Sequence, residues 1–165
     1  MLEALAMKLE DYERIPETQL LLRIEAIQKR EGSKLVILGH HYQRPKITKL
    51  SDFVGDSYGL SVKASQAEAE KIVFCGVRFM AESAAVLAKP GQKVYHPDPE
   101  AGCPMADMAN MDQVQSAWAF LKEKISDKII PVTYMNSTAE LKAFCGEHDG
   151  IVCTSSNASQ VFDWA

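Results

Sequence analysis

The stretch KLVILGHHYQRP, Lys34 to Pro45, decides how this chain folds. Val36, Ile37 and Leu38 follow one another with no polar alternation, as in a strand covered on both faces, and at Gly39 the run gives way to two histidines, a tyrosine and a glutamine. Strands covered on both faces belong to parallel sheets sandwiched between helices. The proton carriers that follow therefore fall where a chain leaves such a sheet.

Working outward, the same unit recurs. Short apolar or β-branched runs appear as LVIL at 35–38, KIVFCG at 71–76, KVYHP at 93–97, KIIPVTY at 128–134 and GIVCTS at 150–155. Between them lie stretches of helical character: 57–71, 78–89, 105–124 and 138–148. A further helix is predicted after Pro16, with Leu20, Leu21, Ile24 and Ile27 at helical spacing and Gly32 as its C-terminal cap. Strands alternating with helices predict an α/β fold of three-layer α/β/α units with parallel sheets. The expected division is a first domain over 1–127, including the N-terminal helix, and the beginning of a second over 128–165. After GIVCTS the segment 156–165 starts as a helix with no strand behind it, so the chain reads as one that continues, or pairs with something else, beyond Ala165.

Composition narrows the function. With 165 residues, 47% of them apolar, and a net charge of -4, the chain has material for a stable core and no basic footprint. Nucleic acid and anionic membrane surfaces are not suggested as partners, and small-molecule chemistry is. Acids scattered through MLEALAMKLEDYERIPETQ leave no apolar core for a secretory leader, and no run approaches membrane-spanning length. The cytoplasm is the expected compartment. Cys75, Cys103, Cys145 and Cys153 form no CxxC pair, and a disulfide framework is not expected in a reducing compartment.

In parallel α/β sheets ligands bind beyond the carboxyl ends of the strands. There this chain carries His40, His41 and Tyr42, then Cys75, then His96 and Cys103, then Tyr134 and Asn136, then Thr154, Ser155 and Asn157. In PEAGCPMADM, Pro104 suits a first helical position and would make Cys103 the N-cap, where free N–H groups favour a thiolate. Cys75 and Cys153 read instead as small hydrophobes on strands, and Cys145 as an incidental thiol. DSYG, 56–59, opens a helix whose hydroxyl and amides could hold an anion or be capped by Asp56 or Ser57. Ser137 with Glu140 fits a capping box, which leaves Tyr134 and Asn136 without a capping role.

HHYQ, DFVGDSYGLS, FCGVRFMAESA, PEAGCPMADM, YMNSTAELKA and CTSSNA, in this order, resemble the N-terminal part of the quinolinate synthase family, from about Leu35 to Ala158. The resemblance implies three similar α/β/α domains around a pseudo-threefold axis, with one cysteine from each holding a four-iron four-sulfur cluster. It makes Cys103 the first ligand, His40 and Ser57 substrate-binding residues, and Tyr42 a general acid/base, with His40 also counted in the catalytic set. Tyr134, Asn136 and Ser155 become contacts to substrate carboxylate or phosphate. The implied reaction condenses iminoaspartate with dihydroxyacetone phosphate in NAD biosynthesis, and L-aspartate oxidase is the implied upstream supplier. Members are about twice as long, and the other two ligand cysteines belong to regions beyond residue 165. These residues alone are thus not expected to make quinolinate. Two other classes fit the residues without the resemblance: a Cys/His hydrolase or amidotransferase using Cys103 with His40 or His96, and a non-catalytic anion-binding module.

Overall fold

The computed structural model describes residues 9–165. Residues 1–8, part of the stretch read as lacking a secretory leader, lie outside them. A short helix α1, Leu9–Glu13, precedes α2, Glu17–Glu31. Helix α2 starts after Pro16, carries Glu17 in its first turn and Lys29 and Arg30 in its last, matching the helix dipole at both ends. It ends as predicted at Gly32, whose φ of 55° is a conformation that glycine adopts without penalty and whose N–H reaches the Gln28 carbonyl.

A single 3-10 turn then leads into β1, Leu35–His40, which is buried along nearly its whole length. The chain crosses through α3, Pro45–Leu50, to β2, Phe53–Gly55, and through α4, Ser57–Gln66, to β3, Lys71–Cys75. Helix α5, Arg78–Leu87, returns it to β4, Lys93–Tyr95. The four strands form one parallel sheet in the order β2-β1-β3-β4, with Leu35 opposite Lys71 and Leu38 opposite both Phe74 and Phe53. Strand β2 is an element the apolar pattern misses, because its Phe53 and Val54 are exposed at the sheet edge. Asp52 sets its register by accepting the Ile37 N–H at 2.7 Å and returning its own N–H to the Ile37 carbonyl at 2.8 Å.

Alternation along the strands sorts the two sheet faces. Val36, Leu38, Ile72 and Phe74 meet Leu60 and Ala64 of α4 and Phe79, Met80 and Ala84 of α5 in the main core. Phe74, Leu38, Leu60 and Ile72 are fully buried there, each contributing ~2 kcal/mol relative to exposure. On the opposite face Ile37, Val73 and Cys75 line a cleft with Ile24 and Ile27 of α2 and Ile47 and Leu50 of α3. Helices thus cover both sides, giving the three-layer α/β/α arrangement.

Beyond the sheet, α6, Met111–Lys124, is opened by a capping box in which Asn110 and Gln113 exchange hydrogen bonds of 3.0 and 3.1 Å. The helix expected over 105–124 therefore starts at 111. A second parallel sheet pairs β5, Val132–Tyr134, with β6, Ile151–Cys153, across α7, Ala139–Glu147, and α8, Ala158–Trp164, follows. The run KIIP stays outside β5. The cap of α7 is Thr138, which accepts the Leu141 N–H, while Ser137 turns its hydroxyl to the Tyr134 carbonyl, so the expected Ser137 box does not form. Met135, directly after β5, is buried in the core of the first sheet and ties the two units together.

Candidate functional site

Strand ends from both sheets open on one cavity of about 670 Å³. His40 and Tyr42 enter it from β1, Ser57 from the start of α4, Tyr134 and Asn136 from β5, Ser155 from the turn after β6, and Cys103 from the loop after β4. The seven residues to which the family resemblance gives roles all line it, drawn from five separate stretches.

His40 continues the 36–38–40 alternation and is 6% exposed. The Tyr42 N–H donates to its Nδ1 at 3.3 Å, so the neutral ring carries its proton on Nε2. Burial lowers the pKa of His40 below its ordinary value, adjacent His41 lowers it further, and Asp56 opposes them. His41 stacks on His40 at 4.3 Å with its own Nδ1 held 3.0 Å from the Gly55 carbonyl, and the Tyr42 ring stands edge-on to both. Tyr42 itself is 84% exposed and free to reach a bound molecule.

At the start of α4 the Asp56 carboxylate takes the Gly59 N–H at 2.6 Å. The capping reading holds for Asp56, and Ser57 is left to face the cavity. Across it, Tyr134 Oη and Ser155 Oγ stand 2.9 Å apart.

Cys103 does not cap a helix. Its carbonyl accepts the N–H groups of Ala106 at 2.8 Å and Asp107 at 3.2 Å, closing one isolated turn, and the next helix waits for Asn110. The thiol is half-buried, and Asn136 Nδ2 points to Cys103 Sγ at 3.7 Å. The loop is carried by Arg78, whose Nε and Nη2 both donate to the Pro99 carbonyl at 3.3 and 2.9 Å, and whose own N–H reaches the Ala101 carbonyl at 2.8 Å.

Three strand-end residues turn away. One, Asn157, accepts the Thr154 N–H at 2.6 Å and donates to the Val152 carbonyl at 3.3 Å. Cys75 pairs with Gly39 on the opposite sheet face and lines the α2/α3 cleft, where burial raises its pKa. His96 spends Nε2 on the Gly76 carbonyl at 3.0 Å and does not line the cavity, which removes it as a base for Cys103. Cys75 and Cys153 are only partly buried, while Cys145, expected as incidental, is the buried one, its pKa raised by burial. The cavity also takes in Phe79 and Met80, which the sequence places in the helical stretch over 78–89 without a site role.

The lining offers neutral donors and a thiol. Asp56 is its carboxylate, and no Lys or Arg contributes to it among the described residues. Such a wall can donate hydrogen bonds to the oxygens of a small molecule and has no cation among the described residues to neutralise a charge on it. No helix among the described residues is long and apolar enough to cross a membrane.

Residues 22–165 match the family described as NadA: Quinolinate synthetase A protein. The chain is 51% identical over 162 residues to the quinolinate synthase of Acidobacterium capsulatum, an alignment covering 97% of this chain and 43% of that protein. It is 52% identical over 158 residues to that of Corynebacterium glutamicum, covering 94% and 40%, and 51% identical over 159 residues to that of Herpetosiphon aurantiacus, covering 94% and 42%. The chain thus spans less than half the length of these curated relatives.

Proposed function

Because the chain belongs to the quinolinate synthetase A family, we propose that its cavity is the N-terminal share of an active site that condenses iminoaspartate with dihydroxyacetone phosphate to quinolinate in NAD biosynthesis. The observation that carries this reading is the convergence of His40, Tyr42, Ser57, Cys103, Asn136 and the Tyr134–Ser155 pair on one cavity.

His40, neutral and aimed through Nε2–H, donates to a substrate carboxylate or phosphate oxygen. Ser57, Asn136 and the Tyr134–Ser155 hydroxyls supply further donors, so the substrates are oriented by several short polar contacts before bonds change. Tyr42 is the group with the freedom to move a proton at the reacting atoms, as general acid/base. The division at 127/128 belongs to the same proposal, supported by one sheet ending at Tyr95 and another starting at Val132.

The proposed cofactor is a four-iron four-sulfur cluster, with Cys103 as one ligand. The half-buried thiol at the cavity wall, approached by the Asn136 amide, suits a single thiolate corner. Cys75, Cys145 and Cys153 do not line that cavity, and among the described residues no group of three His, Cys, Asp or Glu side chains could hold a metal. The remaining ligands must come from elsewhere. When bound through three thiolates, the cluster supplies a Lewis-acidic iron with an open coordination position. L-aspartate oxidase is the proposed source of iminoaspartate, and the cytoplasm, which keeps thiols reduced, is the proposed compartment.

The test is anaerobic reconstitution with iron and sulfide followed by a quinolinate assay. It is run on these 165 residues and on a chimera in which they replace the matching portion of the Acidobacterium capsulatum relative. The chimera is expected to make quinolinate and to lose it on Cys103→Ala or Tyr42→Phe, while the 165 residues alone make none. A folded chimera indifferent to Cys103→Ala, or quinolinate from the short chain by itself, would sink the proposal.

A further inference from the structure

Behind the cavity wall Lys142 sits on α7 with its side chain turned into the junction between the two units. Its Nζ donates to the Ser137 carbonyl at 2.8 Å and to Ser83 Oγ of α5 at 3.1 Å, and lies over the face of the Phe79 ring at 5.2 Å. Alongside, Glu82 of α5 accepts the Ala139 N–H at 3.1 Å, and the Ser137 hydroxyl donates to the Tyr134 carbonyl at 2.7 Å. One ammonium therefore joins α5, which supplies Phe79 to the cavity, to the loop whose previous residues are Tyr134 and Asn136.

We propose that Lys142 is a positioning residue that clamps the 134–138 loop onto α5, so that Asn136 meets Cys103 and Tyr134 meets Ser155. This rests on the substrate roles proposed above for Tyr134 and Asn136. The alternative, that Lys142 merely neutralises Glu82, is disfavoured by its hydrogen bonds, which go to the serine hydroxyl and the loop carbonyl. A half-buried lysine is also an expensive way to neutralise a carboxylate. Burial pulls its ammonium down from 10.5 to about 8, with Glu82 opposing the shift. The spacing is selective too: a carbonyl and a hydroxyl on different elements are bridged by a donor whose three protons can point in separate directions. The loop is also held by Met135 in the core, by Glu82 on the Ala139 N–H and by the Thr138 cap; Lys142 adds the bridge from the Ser137 carbonyl, one residue after Asn136, to Ser83 of α5.

The clamp is read on the 165-residue chain by NMR, with no turnover involved. In Lys142→Met, hydrogen exchange at the Ser137 and Ala139 amides is expected to speed up at least tenfold, and the Asn136 side-chain amide signals to shift. The Ile72 and Phe74 amides of the first sheet should stay within twofold, and Lys142→Arg, which keeps the charge and donors, should restore most of the loop protection. Loop signals unchanged in Lys142→Met overturn the clamp, and so does a loss of protection spread equally to Ile72 and Phe74. Should Lys142→Met not fold, Ser83→Ala removes one acceptor alone, and an Asn136 signal that ignores it also overturns the clamp. In the chimera, Lys142→Met is expected to raise KM about tenfold with kcat changed less than threefold. A loosened loop with unchanged KM supports the clamp and strikes instead the substrate role given to Tyr134 and Asn136.

Discussion

Tyr134 Oη and Ser155 Oγ are 2.9 Å apart at the carboxyl ends of two adjacent parallel strands, with Tyr134 in register with Cys153 two residues before Ser155. One hydroxyl spends its proton on the other, which keeps its own O–H for a ligand and is oriented by the bond it accepts, so the two are expected to act as a pair. In the chimera, Tyr134→Phe and Ser155→Ala should each lower kcat/KM by roughly tenfold, the scale of one hydrogen bond to a charged group. The double variant should lose far less than the product, because contacting residues couple. Independent, multiplicative losses would mean that the pair does not share a ligand.

His40 makes a pH prediction with a definite sign. Its folded-state pKa lies below 6.5, through burial first and His41 second, so the unfolded chain binds more protons than the folded one just below pH 6.5. The stability present above pH 6.5 is then lost as the pH falls from there through the folded-state value, and levels off below it. Thermal melts from pH 7.5 downward should show this loss, and His40→Gln, which does not titrate, should flatten that part of the curve. Nitrogen NMR at pH 7.5 should find the proton on Nε2. A proton on Nδ1 would contradict the Tyr42 N–H bond.

Gly150 and Gly146 separate tight backbone from open helix surface. A Cβ on Gly150 would lie 2.1 Å from the Pro131 carbonyl oxygen and 2.8 Å from that of Cys145, both backbone atoms that cannot step aside. Gly150→Ala is expected to cost ~2 kcal/mol or more in urea denaturation. Gly146, in α7, has nothing within 4 Å of a Cβ, and Gly146→Ala should gain ~0.5 kcal/mol from helix propensity. Equal effects would show that the β5–β6 junction yields more easily than its geometry implies.

Much of this architecture is legible in the residues because burial on both faces writes strands as unbroken apolar runs, as in β1 and β3. Strand β2 is illegible for the converse reason: FVG lies at an edge, and its strand character exists only through its bonds to β1 and the grip of Asp52 on Ile37. The Cys103 segment misleads because Pro104 looks like a helix start, whereas the Asn110–Gln113 box, a stronger local signal, claims the start seven residues on. At the cavity, strand ends announce His40, Tyr42 and Tyr134. They equally announce Cys75 and His96, which only the alternation of side chains and the Gly76 carbonyl turn away. Phe79 and Met80 stay hidden because a helical apolar stripe reads as core whether or not one edge of it meets a cavity. Lys142 is hidden further, since a lysine on an amphipathic helix reads as solvated until the neighbouring unit is in place.

Arg78 yields the last prediction. Its guanidinium places two donors on one carbonyl, Pro99, while its backbone N–H holds Ala101, so both ends of the segment leading to Cys103 hang on one residue at the start of α5. A lysine keeps the charge but offers a single point donor in place of the planar fork. Arg78→Lys should therefore leave the fold intact, because the backbone bond to Ala101 survives, and loosen the approach to the thiol. In the reconstituted chimera, iron retention against a chelator is expected to weaken by roughly tenfold, as for other residues that orient a ligand without touching metal. Circular dichroism and melting temperature should stay close to the parent. Arg78→Met, which lacks the side-chain donors altogether, should weaken retention further. Unchanged retention in both variants would mean that the loop is held at Cys103 by the 103–107 turn alone. The Arg78 contacts would then contribute nothing to how the thiol is presented.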